Sequence, residues 1–235
     1  MQRMNETLPQ PLPAEPMSLV ERWLAEATGK ALQPNPNAMV VATTDAQGRP
    51  SARVVLCKQV VPVPGFLVFF TNYLSRKGRE LKAHPRAAAV LHWDHLHRQV
   101  RIEGPVLRTS GADSDAYFAS RHWQSRLGAW ASAQSEPIAS REALLGKVEA
   151  AARRFAIPNG SDAARDGAPD SAQRFDPAIP RPPHWGGFQL WAESVELWVE
   201  GDARVHDRAR WTRTLAAAPG GALTPGAWVA TRLQP

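Results

Sequence analysis

The sequence predicts a mainly β fold, a small antiparallel barrel with peripheral helices, and three observations carry that expectation. Short runs rich in Val, Ile, Thr and aromatic residues recur along the chain. Polar and glycine-containing turn signals separate them at short spacing, the pattern of antiparallel all-β folds. The length, 235 residues, suits one domain with a sizeable core.

The elements follow in order. Residues 1–17 hold several prolines and little to bury, and read as a disordered N-terminal arm. Residues 18–235 then read as the single domain. Ser18 and Glu21 form a capping box for a helix reaching about Leu32, with Val20, Trp23, Leu24, Ala27 and Ala31 on its apolar face. The turn Asn35-Pro36-Asn37 leads into strands over 38–43, 51–58 and 66–71, the first two joined by the polar stretch Asp45 to Gly48. Ser75 is an N-cap for a helix that Pro85 stops. Strands over 87–93 and 99–107 flank the loop containing His92, His95 and His97, which reads as solvated rather than metal-binding. A short helix over 113–120 carries Tyr117, with Arg121 four residues on, and a helix over 139–155 is capped by Ser140. Residues 156–184 contain six prolines with scattered Gly, Ser and Asp, and read as a mobile loop. Strands resume at 185–190 and 194–199, and a last long strand is expected over 204–213. Period two there would place Arg204, His206, Arg208 and Arg210 on one face.

Charge narrows the function. The net charge is +6 with a pI near 10.1, which calls for an anionic partner. A phosphorylated small molecule fits better than nucleic acid, because no long Lys/Arg run or nucleic-acid motif is present. No apolar run reaches membrane-spanning length, and the N-terminus shows no apolar signal region, so a cytoplasmic protein with no membrane partner is expected. The single cysteine, Cys57, lies in an expected strand and reads as a buried small residue. The strongest local signal is the Ser75 junction. A helix N-terminus presents unpaired N–H groups and partial positive charge, and Arg76 and Lys77 add two cations to its first turn. That arrangement favours a bound phosphate. Arg53 and Lys58 offer two more cations nearby in sequence, although their odd spacing points them to opposite faces of a regular strand.

Six stretches together carry a family resemblance: RVVLCK, FTNYLSRKGREL, RQVRIEG, YFASRHWQSRLGAWASAQS, WGGF and RVHDR. In this order they resemble the pyridoxine/pyridoxamine 5'-phosphate oxidases. The resemblance implies an FMN-binding split barrel, a homodimer with FMN at the subunit interface, and oxidation of phosphorylated B6 vitamers by O2 to pyridoxal 5'-phosphate with release of H2O2. It implies flavin contacts from Arg53, Val54, Lys58, Phe70, Thr71, Arg76, Lys77, Gln99, Gln134, Ser135, Trp198 and Arg208. It assigns the substrate phosphate to Lys58, Tyr117, Arg121 and Ser125, and the substrate ring and catalysis to Arg204 and His206. No metal is implied. The chain departs from the family at His122-Trp123, where Pro-Arg is frequent, at Arg126 in place of Gln, at Phe70 in place of Tyr, and in lacking an N-terminal Arg-x-x-Tyr. These departures keep open a same-fold oxidase of another ring, such as a phenazine precursor. A non-catalytic flavin or pyridoxal-phosphate binder and a basic nucleic-acid-binding protein are the readings from other classes.

Overall fold

Buried and more exposed residues alternate along the runs read as strands at 38–43, 87–93 and 99–107, and the computed structural model, which describes residues 6–157 and 176–235, shows why. In chain order the elements are α1 (Met17–Lys30), β1 (Ala38–Thr44), β2 (Pro50–Leu56), β3 (Gln59–Val61), β4 (Phe66–Asn72), α2 (Arg76–Ala83), β5 (Arg86–Trp93), β6 (Arg98–Arg108), α3 (Gly111–Ala119), α4 (Trp123–Ala131), α5 (Arg141–Arg154), β7 (Trp185–Trp191), β8 (Ser194–Val199), β9 (Asp207–Thr212), β10 (Leu215–Ala217), β11 (Leu223–Pro225) and β12 (Val229–Leu233). The chain divides into two units, one of Met1–Phe69, Glu80–Arg108 and Phe188–Pro235, the other of Phe70–Arg79 and Thr109–Gly187.

The first unit is built on a sheet in the order β12-β9-β8-β6-β5-β1-β2, with every neighbour antiparallel. β3 forms a hairpin with β4, and β7 pairs with the end of β6. Register fixes the two faces. Val41, Ala89, Ile102, Val195 and Trp211 lie in one row across the sheet, and all are buried. Val41, Ile102 and Val195 each contribute about 1.5–3 kcal/mol of apolar burial, and Ala89 less. Cys57, just past the end of β2, is also buried, and burial pushes its thiol up to about 12.

In the second unit, α3, α4 and α5 enclose Phe118, Leu127, Ala131, Ala151, Ile157, Ile179 and Trp185. Ser75 and Ser140 take the places expected of them: Ser75 Oγ accepts from the Gly78 amide, and Ser140 Oγ from the Ala143 amide. Among the described residues no helix is long and apolar enough to cross a membrane.

Several expectations need correction. The cap of α1 comes from Glu15, whose carboxylate accepts from the amides of Met17 and Ser18, and not from Ser18. Residues 6–16 of the arm are placed against the first unit. Leu8 is buried, its amide donates to Asp207 Oδ2 at 2.7 Å, and Trp211 Nε1 donates to the Pro13 carbonyl at 2.8 Å. The arm's prolines remove amide donors but leave carbonyls as acceptors, so a polar, proline-rich segment still docks. Of the loop expected over 156–184, residues 158–175 lie outside the described residues, whereas Ile179 is buried and the Pro180 carbonyl accepts from Trp130 Nε1. The last long strand starts three residues late. Asp202–Arg204 form a 3-10 turn in which Ala203 and Arg204 both take positive φ, 51° and 66°. Gly201 is required there, since a Cβ on it would lie 1.8 Å from the Val205 carbonyl oxygen. Finally, α3 ends at Ala119, so Tyr117 and Arg121 do not share a continuous helix.

Candidate active site

The expected flavin and substrate residues fall into three groups, each within one unit. The first lies on the sheet face opposite the core. Gln99, Trp198 and Arg208 are register partners across β6, β8 and β9 and therefore sit side by side on one face. Two residues along each strand, the next row runs Val54, Val40, Val90, Arg101, Glu196 and Arg210 on that same face. Arg208 donates to Glu196 Oε1 through Nε at 3.1 Å and Nη2 at 2.8 Å, and Arg101 donates to Glu196 Oε2 at 3.2 Å. Glu196 is buried and depends on those partners.

His206 joins this group from the turn before β9. Its ring centroid lies 4.6 Å from that of Trp198, and its Nδ1 accepts from the Gly201 amide at 3.2 Å. In the neutral ring the proton therefore sits on Nε2. Arg204 is exposed in the strained turn and does not share a strand face with His206 and Arg208, which corrects the period-two expectation. Strain of this kind collects at functional sites.

Arg53 lies at the edge of the sheet's other face, opposite Val41. It donates to Thr43 and Ser51, to the Val41 carbonyl, and to Glu80 at 3.2 Å. Glu80 also accepts from Ser51 and Thr43, so part of the Arg53 charge is already countered. Lys58 lies beyond the end of β2, exposed, with its amide bound to the Val68 carbonyl. The odd spacing from Arg53 therefore imposes no opposite facing within one strand.

The second group belongs to the other unit. Lys77 is buried, and its Nζ donates to Gln134 Oε1 at 2.8 Å and to Thr71 Oγ1 at 3.0 Å. Thr71 Oγ1 in turn bonds Gln134 at 3.1 Å, and Ser135 beside it takes a positive φ of 73°. Arg76 is exposed, so the two cations of this first turn diverge. A buried ammonium, hydroxyls and an amide at a helix N-terminus form a donor set suited to a phosphate monoester. On that chemistry the residues fit the phosphate of FMN.

The third group is Tyr117, Arg121 and Ser125. Phe70, Tyr117 and Trp185 form an aromatic stack, with Phe70 and Tyr117 centroids 4.0 Å apart and Phe70 and Trp185 5.5 Å apart. The Arg121 guanidinium carbon lies 4.8 Å from the Trp185 ring centroid, and burial shifts the arginine pKa downward. Its Nη1 is buried and has no hydrogen-bond partner among the described residues. Ser125 is exposed on the first turn of α4, four residues on. A desolvated cation with an unsatisfied donor is costly unless an anion meets it.

Sequence reasoning missed Glu80, Glu196 and Trp185. Glu80 could have been found as the one acidic residue on the basic helix RKGRELKA. Glu196 could have been found as the polar residue two before Trp198, on its face. His97 Nδ1 pairs with Glu200, and among the described residues no three His, Cys, Asp or Glu side chains gather as metal ligands.

Comparison with known proteins places these groups in a family. A family model described as pyridoxamine 5'-phosphate oxidase matches residues 25–154, and one described as the pyridoxine 5'-phosphate oxidase C-terminal dimerisation region matches residues 185–235. A pyridoxine/pyridoxamine 5'-phosphate oxidase of Burkholderia multivorans (strain ATCC 17616 / 249) is 47% identical over 221 residues, covering 94% of this chain and 89% of that protein. One of Rhodospirillum rubrum is 45% identical over 197 residues, covering 83% and 88%. Among solved structures, PhzG from Burkholderia lata 383, in complex with tetrahydrophenazine-1-carboxylic acid, superposes with a TM-score of 0.76 at 29% identity, covering 95% of this chain and 94% of that one. A pyridoxamine 5'-phosphate oxidase-related, FMN-binding protein from Nostoc punctiforme shares the fold, with a TM-score of 0.63 at 14% identity over 93% and 96% of the two chains. The sheet is thus that of a split barrel, and the chain belongs to the pyridoxamine 5'-phosphate oxidase family.

Proposed function

We propose that this chain is a cytoplasmic, FMN-dependent oxidase of pyridoxine 5'-phosphate and pyridoxamine 5'-phosphate, yielding pyridoxal 5'-phosphate and H2O2. The observation that carries the reading is Arg121: a half-buried guanidinium beside Tyr117, whose buried Nη1 has no hydrogen-bond partner among the described residues, fits a substrate that brings its own phosphate. The names of relatives at 45–47% identity support it.

FMN, when bound, supplies the hydride acceptor, so the protein's task is to bind and orient. In the second unit Lys77, Arg76, Thr71 and Gln134 offer donors for the flavin phosphate, and Ser135 and Phe70 offer further flavin contacts. In the first unit Gln99, Trp198, Arg208 and Val54 offer flavin contacts, and Arg53 offers the charge that Glu80 leaves. Tyr117, Arg121 and Ser125 grip the substrate phosphate, a task for which Lys58 of the first unit is a further candidate. Arg204 covers the substrate ring, and His206 donates from Nε2 to an acceptor on it. Fixing the reacting carbon in this way removes orientational freedom before the chemical step.

The functional unit in this reading is a homodimer. The outward face that carries Gln99, Trp198 and Arg208 also carries Val40 and Val54, which are 40% and 64% exposed. Apolar residues grouped on a cofactor-bearing face are suited to cover by a second copy. The description of the C-terminal match as a dimerisation region supports this assembly.

A second reading has one observation in its favour. PhzG, solved with a phenazine acid, shares the fold at 29% identity. Flavin absorbance and peroxide release on adding pyridoxine 5'-phosphate, pyridoxamine 5'-phosphate or a reduced phenazine carboxylic acid separate the two. We expect a yellow protein that turns over both vitamers. A yellow protein that turns over only the phenazine acid establishes the second reading, and a colourless one contradicts both.

A further inference from the structure

We infer that Trp185 is a positioning residue for the substrate phosphate: its indole face holds the Arg121 guanidinium in the plane from which Nη1 meets the phosphate. The inference rests on the reading of Tyr117, Arg121 and Ser125 as the phosphate site. It assigns a task to the WGGF run, whose chemistry the flavin and substrate contacts do not use.

Arg121 follows the last turn of α3, with its amide bound to the Phe118 carbonyl at 3.2 Å. Two rings then lie against it. The guanidinium carbon lies 4.8 Å from the Trp185 centroid and 5.5 Å from that of Phe118. Stacking uses the face of a guanidinium and leaves its N–H donors in plane and available, which a carboxylate partner would not. The ring is itself held. Phe118 meets Trp185 edge-on at 5.0 Å, the Trp185 carbonyl accepts from Arg181 Nη1 at 2.7 Å, and its amide donates to the Pro182 carbonyl at 3.0 Å. The second glycine of the run lets the strand approach, since a Cβ on Gly187 would lie 2.8 Å from the Phe70 ring. The same indole extends the stack of Phe70 on Tyr117, its plane within 8° of the tyrosine's. One side chain therefore orients two of the phosphate-binding residues.

The test uses the flavin-loaded enzyme and two readouts: KM for pyridoxine 5'-phosphate, and the inhibition constant of inorganic phosphate as a competitor for that subsite. Trp185→Leu should raise both by about ten-fold, with the loss in KM rather than kcat, because a remote phosphate contact is uniform binding. Trp185→Phe should recover most of it. In an Arg121→Ala background Trp185→Leu should add little, because the tryptophan acts through the arginine. If Arg121→Ala leaves KM and the phosphate constant unchanged, the phosphate site itself is misplaced and the inference falls with it. If Arg121→Ala raises both but Trp185→Leu raises neither, or lowers kcat alone, only the inference is overturned. Should Trp185→Leu not fold, Trp185→Phe decides: a rise of about two-fold in both constants supports the inference, and a rise in KM without one in the phosphate constant overturns it.

Discussion

Changing Arg76 and Lys77 together to alanine should release the flavin. Lys77 carries most of this effect. It is buried at the first turn of α2, and its ammonium is oriented by Thr71 and Gln134 at 3.0 and 2.8 Å. Placing a cation at the positive end of a helix is unfavourable by itself, and a bound phosphate reverses the sign. A hydrogen bond to a charged group is worth roughly 1.5–3 kcal/mol, so Lys77→Ala alone should weaken FMN binding by about ten- to hundred-fold. Arg76→Ala should cost less, because that side chain is exposed and screened. The check is the flavin-to-protein absorbance ratio after gel filtration, with the dissociation constant from flavin fluorescence. Full occupancy in the double variant would remove the phosphate from this helix.

The second large effect separates substrate from cofactor around β9. Arg204→Ala and His206→Ala should keep the yellow colour and lose kcat/KM for pyridoxine 5'-phosphate by about 10²-fold or more, since positioning is lost in the transition state. His206 is already fixed against Trp198 and the Gly201 amide, so its donor needs no reorganisation. Arg208→Ala should behave differently. Its partner Glu196 is buried, and without Arg208 it keeps only Arg101 from this ion-pair group. That variant should bind FMN weakly, melt earlier, and recover part of its activity with added FMN. Peroxide release and flavin content on the same three proteins test this, and near-normal turnover in Arg204→Ala would disprove the assignment of the turn to the active site.

What could be read in advance, and what could not, follows from the range of the interactions. Ser75 and Ser140 were legible because a cap is decided within a few residues. Strands β1, β5, β6 and β8 were legible because period two survives wherever one face is buried. The start of β9 was not, because the RVHDR run alternates like a strand while Ala203 and Arg204 adopt left-handed backbone that no residue type there announces. The docked arm was invisible for a related reason: its partners, Asp207 and Trp211, lie about two hundred residues away. Short β3, β10, β11 and β12 carry too few residues for a pattern. In the site, the cations were named from the sequence, but the buried carboxylates Glu80 and Glu196 that hold Arg53 and Arg208 were not. Their importance depends on burial, which only the fold reveals.

In the proposed function the chain is a flavin oxidase that reads a phosphate on its substrate. The most direct measurement is kcat/KM for pyridoxine 5'-phosphate against pyridoxine, with a reduced phenazine carboxylic acid as the third substrate. Charge-assisted bonds from Arg121 and its neighbours, worth roughly 1.5–3 kcal/mol each, predict a preference for the phosphate ester on the order of 10³ or more. Equal turnover of pyridoxine and its phosphate, or a higher kcat/KM for the phenazine acid than for either, would contradict the account.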